Sequence, residues 1–194
     1  MIEEVLKKIA YNYYPKGICA INDKDNYLKS YQYRNLSQTL EDFTINDIHQ
    51  NSYSTLLNEF KKHNLINEIE DVSLSSWQDR CLSFELDIVD GNELIKICLN
   101  ISLIIPYYVV YLLKNEITTN PYKWITIPTR NKEAELTEYR EIIEVIKSIV
   151  EETIRFNKFP EDIAKNIIPD INFNDINLGA FNYYNAFFLD ENKL

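Results

Sequence analysis

Two histidines, three cysteines and thirty carboxylates are the side chains on which catalysis would have to rest in this 194-residue chain. His49 and His63 sit fourteen residues apart on one helical pattern, a spacing that does not bring both to adjacent turns for a shared metal ion. They read as surface or helix-end histidines. Cys81 or Cys98 could act as a nucleophile beside a histidine, but both fall on strand patterns, where a thiol reads as a small buried hydrophobe. The odd cysteine, Cys19, completes a set with no CxxC pair, and all three are expected as free buried thiols in a reducing cytoplasm. Carboxylates cluster at Glu68, Glu70 and Asp71, at Glu151 and Glu152, and at Asp170 and Asp175. Acid–base chemistry would need two of them to converge with split pKa values, and solvated surface positions are the expectation. Gly17, Gly91 and Gly179 lie far apart, so no Gly-rich loop can cradle a phosphate, and HExxH and GxSxG are absent from the sequence. No catalytic residue, metal or cofactor is therefore assigned.

Binding surfaces are the better prospect. On a helix over 132–157, Glu133, Glu144 and Glu151 cluster on one side, with Glu141 and Glu152 beside them and Glu138 at the edge; Glu141, Glu144 and Glu151 are the partner-binding candidates. Arg140, Lys147 and Arg155 interleave, and Glu151–Arg155 has the spacing of an i,i+4 pair. A solvated outer face is the ordinary reading; an acidic patch for a basic protein is the functional one. The second candidate is tyrosine-rich: Tyr11, Tyr13, Tyr14, Tyr27, Tyr31 and Tyr33 precede a further group at Tyr107, Tyr108 and Tyr111. Tyrosine offers rigid contact area with one polar handle. Tyr107 and Tyr111 are expected in the core, whereas Tyr27 and Tyr31, beside Asp23 and Asp25, form the interface candidate. The net charge of −10 argues against nucleic acid or an anionic membrane as partner and permits a basic protein.

These residues need a scaffold, and its most informative stretch is the uncharged run 97–113. Its seventeen residues are at the lower limit for a membrane span. The pattern says sheet instead. Ile95, Ile97, Leu99, Ile101 and Leu103 alternate with polar neighbours, as do Leu82, Phe84, Leu86 and Ile88 before them. Asp90-Gly91 between the runs suits a two-residue type I′ turn. That turn pairs Leu86 with Ile95, Phe84 with Ile97 and Leu82 with Leu99, and sets Glu85 opposite Lys96. Pro106 should break the chain, after which "YYVVYLL" is apolar on both faces, as in a strand covered on both sides.

Elsewhere, Ile2, Val5, Leu6 and Ile9 mark a first helix; Tyr27, Leu28, Tyr31 and Leu36 suggest one irregular helix; Leu56, Leu57 and Phe60 mark another. Residues 67–77 read as a linker, and a short strand is expected around Trp124. Leu136, Tyr139, Ile143, Ile146, Val150 and Ile154 trace the inner stripe of the 132–157 helix. Phe181, Tyr183, Phe187 and Leu189 share one face of an expected closing strand that inserts into the sheet. With 45% hydrophobic and 13% aromatic residues there is material for a proper core. The expected class is α+β: an antiparallel sheet made of an 80–104 hairpin and strands near 107–113 and 180–189, packed by the long helix, with N-terminal helices. One domain spans 1–194, its first 66 residues mainly helical and 77–190 holding the sheet and packing helix.

The segments "DRCLSFEL", "ISLIIPYYVVYL", "IPDI" (168–171) and "GAFNYYNAFF" together resemble bacterial immunity proteins that accompany secreted polymorphic or contact-delivered toxins, especially in the Bacteroidota. The likeness covers roughly 77–190, and its motifs are structural, so it assigns no site residue. It implies a non-enzymatic cytoplasmic protein that binds a cognate toxin and blocks it. A cytoplasmic adaptor or chaperone for a secreted effector stays open beside it. So does a hydrolase with an unrecognised site, which would need a carboxylate of raised pKa near His49 or His63.

Overall fold

The computed structural model describes residues 1–73, 79–90, 93–116, 124–127 and 137–190. The chain opens with four helices, α1 (Ile2–Tyr13), α2 (Lys24–Lys29), α3 (Tyr31–Ile45) and α4 (Asp47–Lys62). The single irregular helix expected around Tyr27 and Leu36 is two. Ser30 ends α2 and starts α3: its backbone is extended (φ −62°, ψ 149°) and its Oγ accepts the Tyr33 N–H at 3.1 Å. A serine that caps a following helix interrupts the preceding one.

A short β1 (Glu70–Asp71) leads to the meander β2 (Cys81–Asp90), β3 (Glu93–Ser102), β4 (Tyr107–Glu116) and β5 (Trp124–Ile127), antiparallel and in sequential order. β6 (Asn157–Lys158) returns to pair in parallel with the start of β4. The fold class is α+β, as the pattern predicts. The expected hairpin exists, but its register differs by two residues: Leu86 pairs with Ile97, Phe84 with Leu99 and Leu82 with Ile101. Asp90 opposes Glu93, so the reversal lies at residues 91–92, outside the described residues. A shift of two preserves which side chains share a face, so the inward set is unchanged. Lys96 now opposes Asp87 and reaches diagonally to Glu85, forming ion pairs with both. β3 ends at Ser102 and β4 begins at Tyr107, with Pro106 in the bend between them.

β4 is covered on both faces. Tyr108, Val110 and Leu112 join Phe84, Leu86, Ile97 and Leu99 against Leu56 and Phe60 of α4. The helix α5 (Arg140–Thr153) adds Ile146 and Val150 to the same core. On the other side Val109, Tyr111 and Leu113, with Cys81 and Cys98, meet Leu6 and Ala10 of α1, Leu36 and Leu40 of α3, and the C-terminal segment.

Two expectations fail here. The packing helix is shorter than 132–157: 132–136, with Glu133 and Leu136, lie outside the described residues, and α5 stops at Thr153. Arg155 takes a left-handed conformation (φ 59°), turning the chain so that 157–158 can pair with β4. The final segment is not a strand in the sheet. After a short α6 (Glu161–Ala164), residues 183–187 form α7 (Tyr183–Phe187). Its capping box is reciprocal: Asn182 Oδ1 accepts the Asn185 N–H at 2.8 Å, and Asn185 Oδ1 accepts the Asn182 N–H at 3.1 Å. Every residue from 181 to 188 is buried, so the apolar run carries no period to separate strand from helix. No helix among the described residues is long and apolar enough to cross a membrane.

Candidate partner-binding surface

The C-terminal segment is fastened to the N-terminal helices by polar contacts at both ends of one seam. Tyr11 Oη donates to the Asp170 carboxylate at 2.9 Å, and the Gly17 N–H donates to the Asp170 carbonyl at 2.8 Å. The buried Asn172 amide donates to the Ile18 carbonyl (3.0 Å) and accepts from the Ala20 N–H (3.2 Å). Tyr27 Oη donates to the Asn172 carbonyl at 2.7 Å.

Beyond this seam the two segments part around a cleft of about 650 Å³. Tyr27, Leu28 and Tyr33 line one wall, Phe173 and Ile176 the other, and Asp190 closes the end. Asp190 is held from both sides: Arg80 Nη2 donates to Oδ1 at 2.6 Å and Asn174 Nδ2 to Oδ2 at 2.7 Å. Arg80 is completely buried, donates Nε–H to the Asn185 carbonyl at 3.0 Å and lies 4.8 Å over the Phe173 ring. Burial pushes its guanidinium down, but Tyr14 and Asp190 outweigh that and hold it above its ordinary value, so it stays charged.

Of the lining residues, Ile21 is 51% exposed and Leu28 38%; Tyr31, 69% exposed at the start of α3, is not part of the lining. Asp175 and Lys24 line the same opening, and the exposed Asp23 and Asp25 flank Lys24 in the sequence. The sequence candidates thus divide. Tyr31, Asp23 and Asp25 are available to a partner. Tyr27 is buried, its hydroxyl is committed to Asn172, and burial raises its pKa well above the tyrosine range. Asp190, Phe173 and Arg80 carry no signal in the sequence as site residues.

The α5 candidates lie on another surface. Glu141, Glu144, Glu151 and Glu152 are all exposed. Glu144 pairs with Lys147 (2.7 Å) and Glu152 accepts from Ser148 Oγ (2.8 Å). Glu151 accepts the Tyr108 hydroxyl at 2.6 Å, the expected pairing with Arg155 being lost where the helix ends. Burial, then Glu151, raises the Tyr108 pKa.

The histidines sit at opposite ends of α4. His49 stacks on Phe43 at 5.5 Å, and His63 Nδ1 accepts the Leu65 N–H at 3.3 Å. No group of three His, Cys, Asp or Glu among the described residues is arranged to hold a metal ion. Cys81 and Cys98 are buried, but Cys19 is only half-buried, and backbone N–H groups of Asn22 and Ile21 push its thiol pKa down. No protein family, curated protein or solved structure matches this chain.

Proposed function

We propose that this protein binds and neutralises a cognate protein toxin in the cytoplasm, using the cleft between α2–α3 and residues 173–176 as its contact. The supporting observation is the composition of that cleft: aromatic and aliphatic walls, the exposed Ile21 and Leu28 in its lining, and Asp175 and Asp190 at its edge, with exposed Asp23, Asp25 and Tyr31 on the adjoining chain. An apolar centre bounded by charge is how protein interfaces are built, with aromatic residues carrying most of the affinity. The acidic rim and net charge of −10 suit a basic partner. The α5 face, with Glu141 and Glu144 exposed on it, steers that partner at a distance.

The test is co-expression with the product of the adjacent reading frame, scored for growth and for co-purification. Rescue of a toxic neighbour in a stoichiometric complex supports the proposal; a harmless neighbour with no complex overturns it. A complex that leaves the partner's activity intact replaces inhibition with an adaptor role. Within a complex, Tyr31→Ala should weaken binding about tenfold or more. Reversing Glu141 and Glu144 should slow association mainly at low salt. Glu151 is left intact in that variant because it accepts the Tyr108 hydroxyl.

A further inference from the structure

A second cavity, of about 300 Å³, opens where the α3–α4 corner meets the end of α5. Its walls are apolar: Phe43, Leu56, Leu82 and Phe156 are among them. Its polar lining is cationic or neutral, with His49 and Arg155, and no carboxylate stands among its described lining residues. That is unusual on a chain in which acids outnumber bases by ten. Arg155 has no carboxylate partner among the described residues, although Glu151 lies four positions earlier. It also holds a left-handed conformation at the position after a helix where glycine is the usual occupant. Of the two non-glycine residues with positive φ among the described residues, the other is an asparagine, which tolerates that region well; arginine does not. A strained cation retained at the mouth of an apolar cavity points to a ligand.

We infer that this cavity binds a small organic carboxylate with a compact apolar body, aromatic or branched. Arg155 would take the carboxylate through its planar fork of N–H donors, His49 would add a further N–H, and the Phe43–Phe156 walls would cover the body. A single negative charge suits these walls better than a phosphate, whose second charge would be desolvated against leucine and phenylalanine. The competing role for Arg155 is to cap the carbonyls at the end of α5. The two roles separate by experiment. On the full chain, amide NMR shifts are followed during titration with benzoate, phenylacetate and indole-3-acetate, and with benzamidine as the cation of benzoate's shape. The carboxylates should give saturable shifts at residues 49–53 and 153–156, and benzamidine should not. Arg155→Lys, which keeps the charge but loses the fork, should weaken binding several-fold, less than Arg155→Gly does. Arg155→Gly should weaken it about tenfold or more while the melting temperature holds or rises, because glycine relieves the positive φ. Absence of saturable shifts with all three carboxylates, equal binding of benzamidine, or unchanged binding by Arg155→Gly would each overturn the inference.

Discussion

Removing Asp190 should cost more than removing the arginine it binds. Arg80 is fully buried, whereas the Asp190 side chain is 33% exposed. Asp190→Ala leaves a guanidinium in the interior without its carboxylate, a change that costs about 3–5 kcal/mol when the charge cannot reach water. Arg80→Met removes the charge and keeps most of the volume over Phe173. Asp190, already part-exposed, retains Asn174 Nδ2 at 2.7 Å, and the losses include the donor to the Asn185 carbonyl, about 1–3 kcal/mol for such a bond. With a urea m-value of about 2 kcal/mol/M, the midpoint should fall by about 1.5–2.5 M for Asp190→Ala and about 0.5–1.5 M for Arg80→Met. The double variant should resemble Arg80→Met alone, because the stranded charge is gone. Urea unfolding followed by far-ultraviolet circular dichroism measures all three. An Asp190→Ala cost under about 1 kcal/mol, or one no larger than that of Arg80→Met, would refute the claim that the buried charge depends on this carboxylate.

Other perturbations separate backbone, network and titration effects. A Cβ at Gly17 would meet nothing within 4 Å, but φ is +69° there, so Gly17→Ala should lose about 1 kcal/mol by calorimetry and no more. Asn100, 1% exposed, donates to the hydroxyls of Tyr184 (2.9 Å) and Tyr111 (3.3 Å). Asn100→Ala should destabilise by about 2 kcal/mol or more, since both hydroxyls lose a partner where water cannot replace it. Burial raises the pKa of Tyr14, Tyr108, Tyr111 and Tyr184 above the ordinary value near 10, and that of Tyr183 to about 12. Their neutral forms are favoured by folding, so stability is intact below pH 10 and falls as pH climbs from there through the folded values. Alkaline unfolding monitored by tyrosinate absorbance should be steep, and flat stability from pH 10 to 12 would contradict the burial of these hydroxyls.

The sheet was legible because alternation along 82–88 and 95–101 fixes which side chains face inward, whatever the pairing. Pairing itself was less so. Asp90-Gly91 and Gly91-Asn92 are both acceptable reversals, and the two registers differ by two residues with the same faces inward. The closing segment misled because consecutive aromatics, buried on every side, satisfy any period, and the deciding signal was a pair of asparagines in place of the commoner Ser/Thr-x-x-Glu box. Of the candidate surface, Tyr31, Asp23 and Asp25 were readable from composition, and Glu141 and Glu144 from helical spacing. Arg80 was not. An Asp-Arg pair before a strand gives no hint that a segment 110 residues later folds over the arginine.

Both faces of the central strands are covered, so a recognition surface lies on the covering elements or at the junctions between them. The cleft is such a junction, and one of its walls belongs to the segment that Arg80 anchors. Arg80 itself does not line the opening. Arg80→Met should therefore weaken partner binding only as far as it loosens residues 173–190, in step with its lowered urea midpoint. Tyr31→Ala, at an exposed position, should weaken binding with the midpoint unmoved. Isothermal titration and urea unfolding on the same two variants decide it. If Tyr31→Ala binds normally while Arg80→Met binds poorly, the partner reads the C-terminal segment and not the tyrosine rim. If both bind normally, the contact lies away from the cleft.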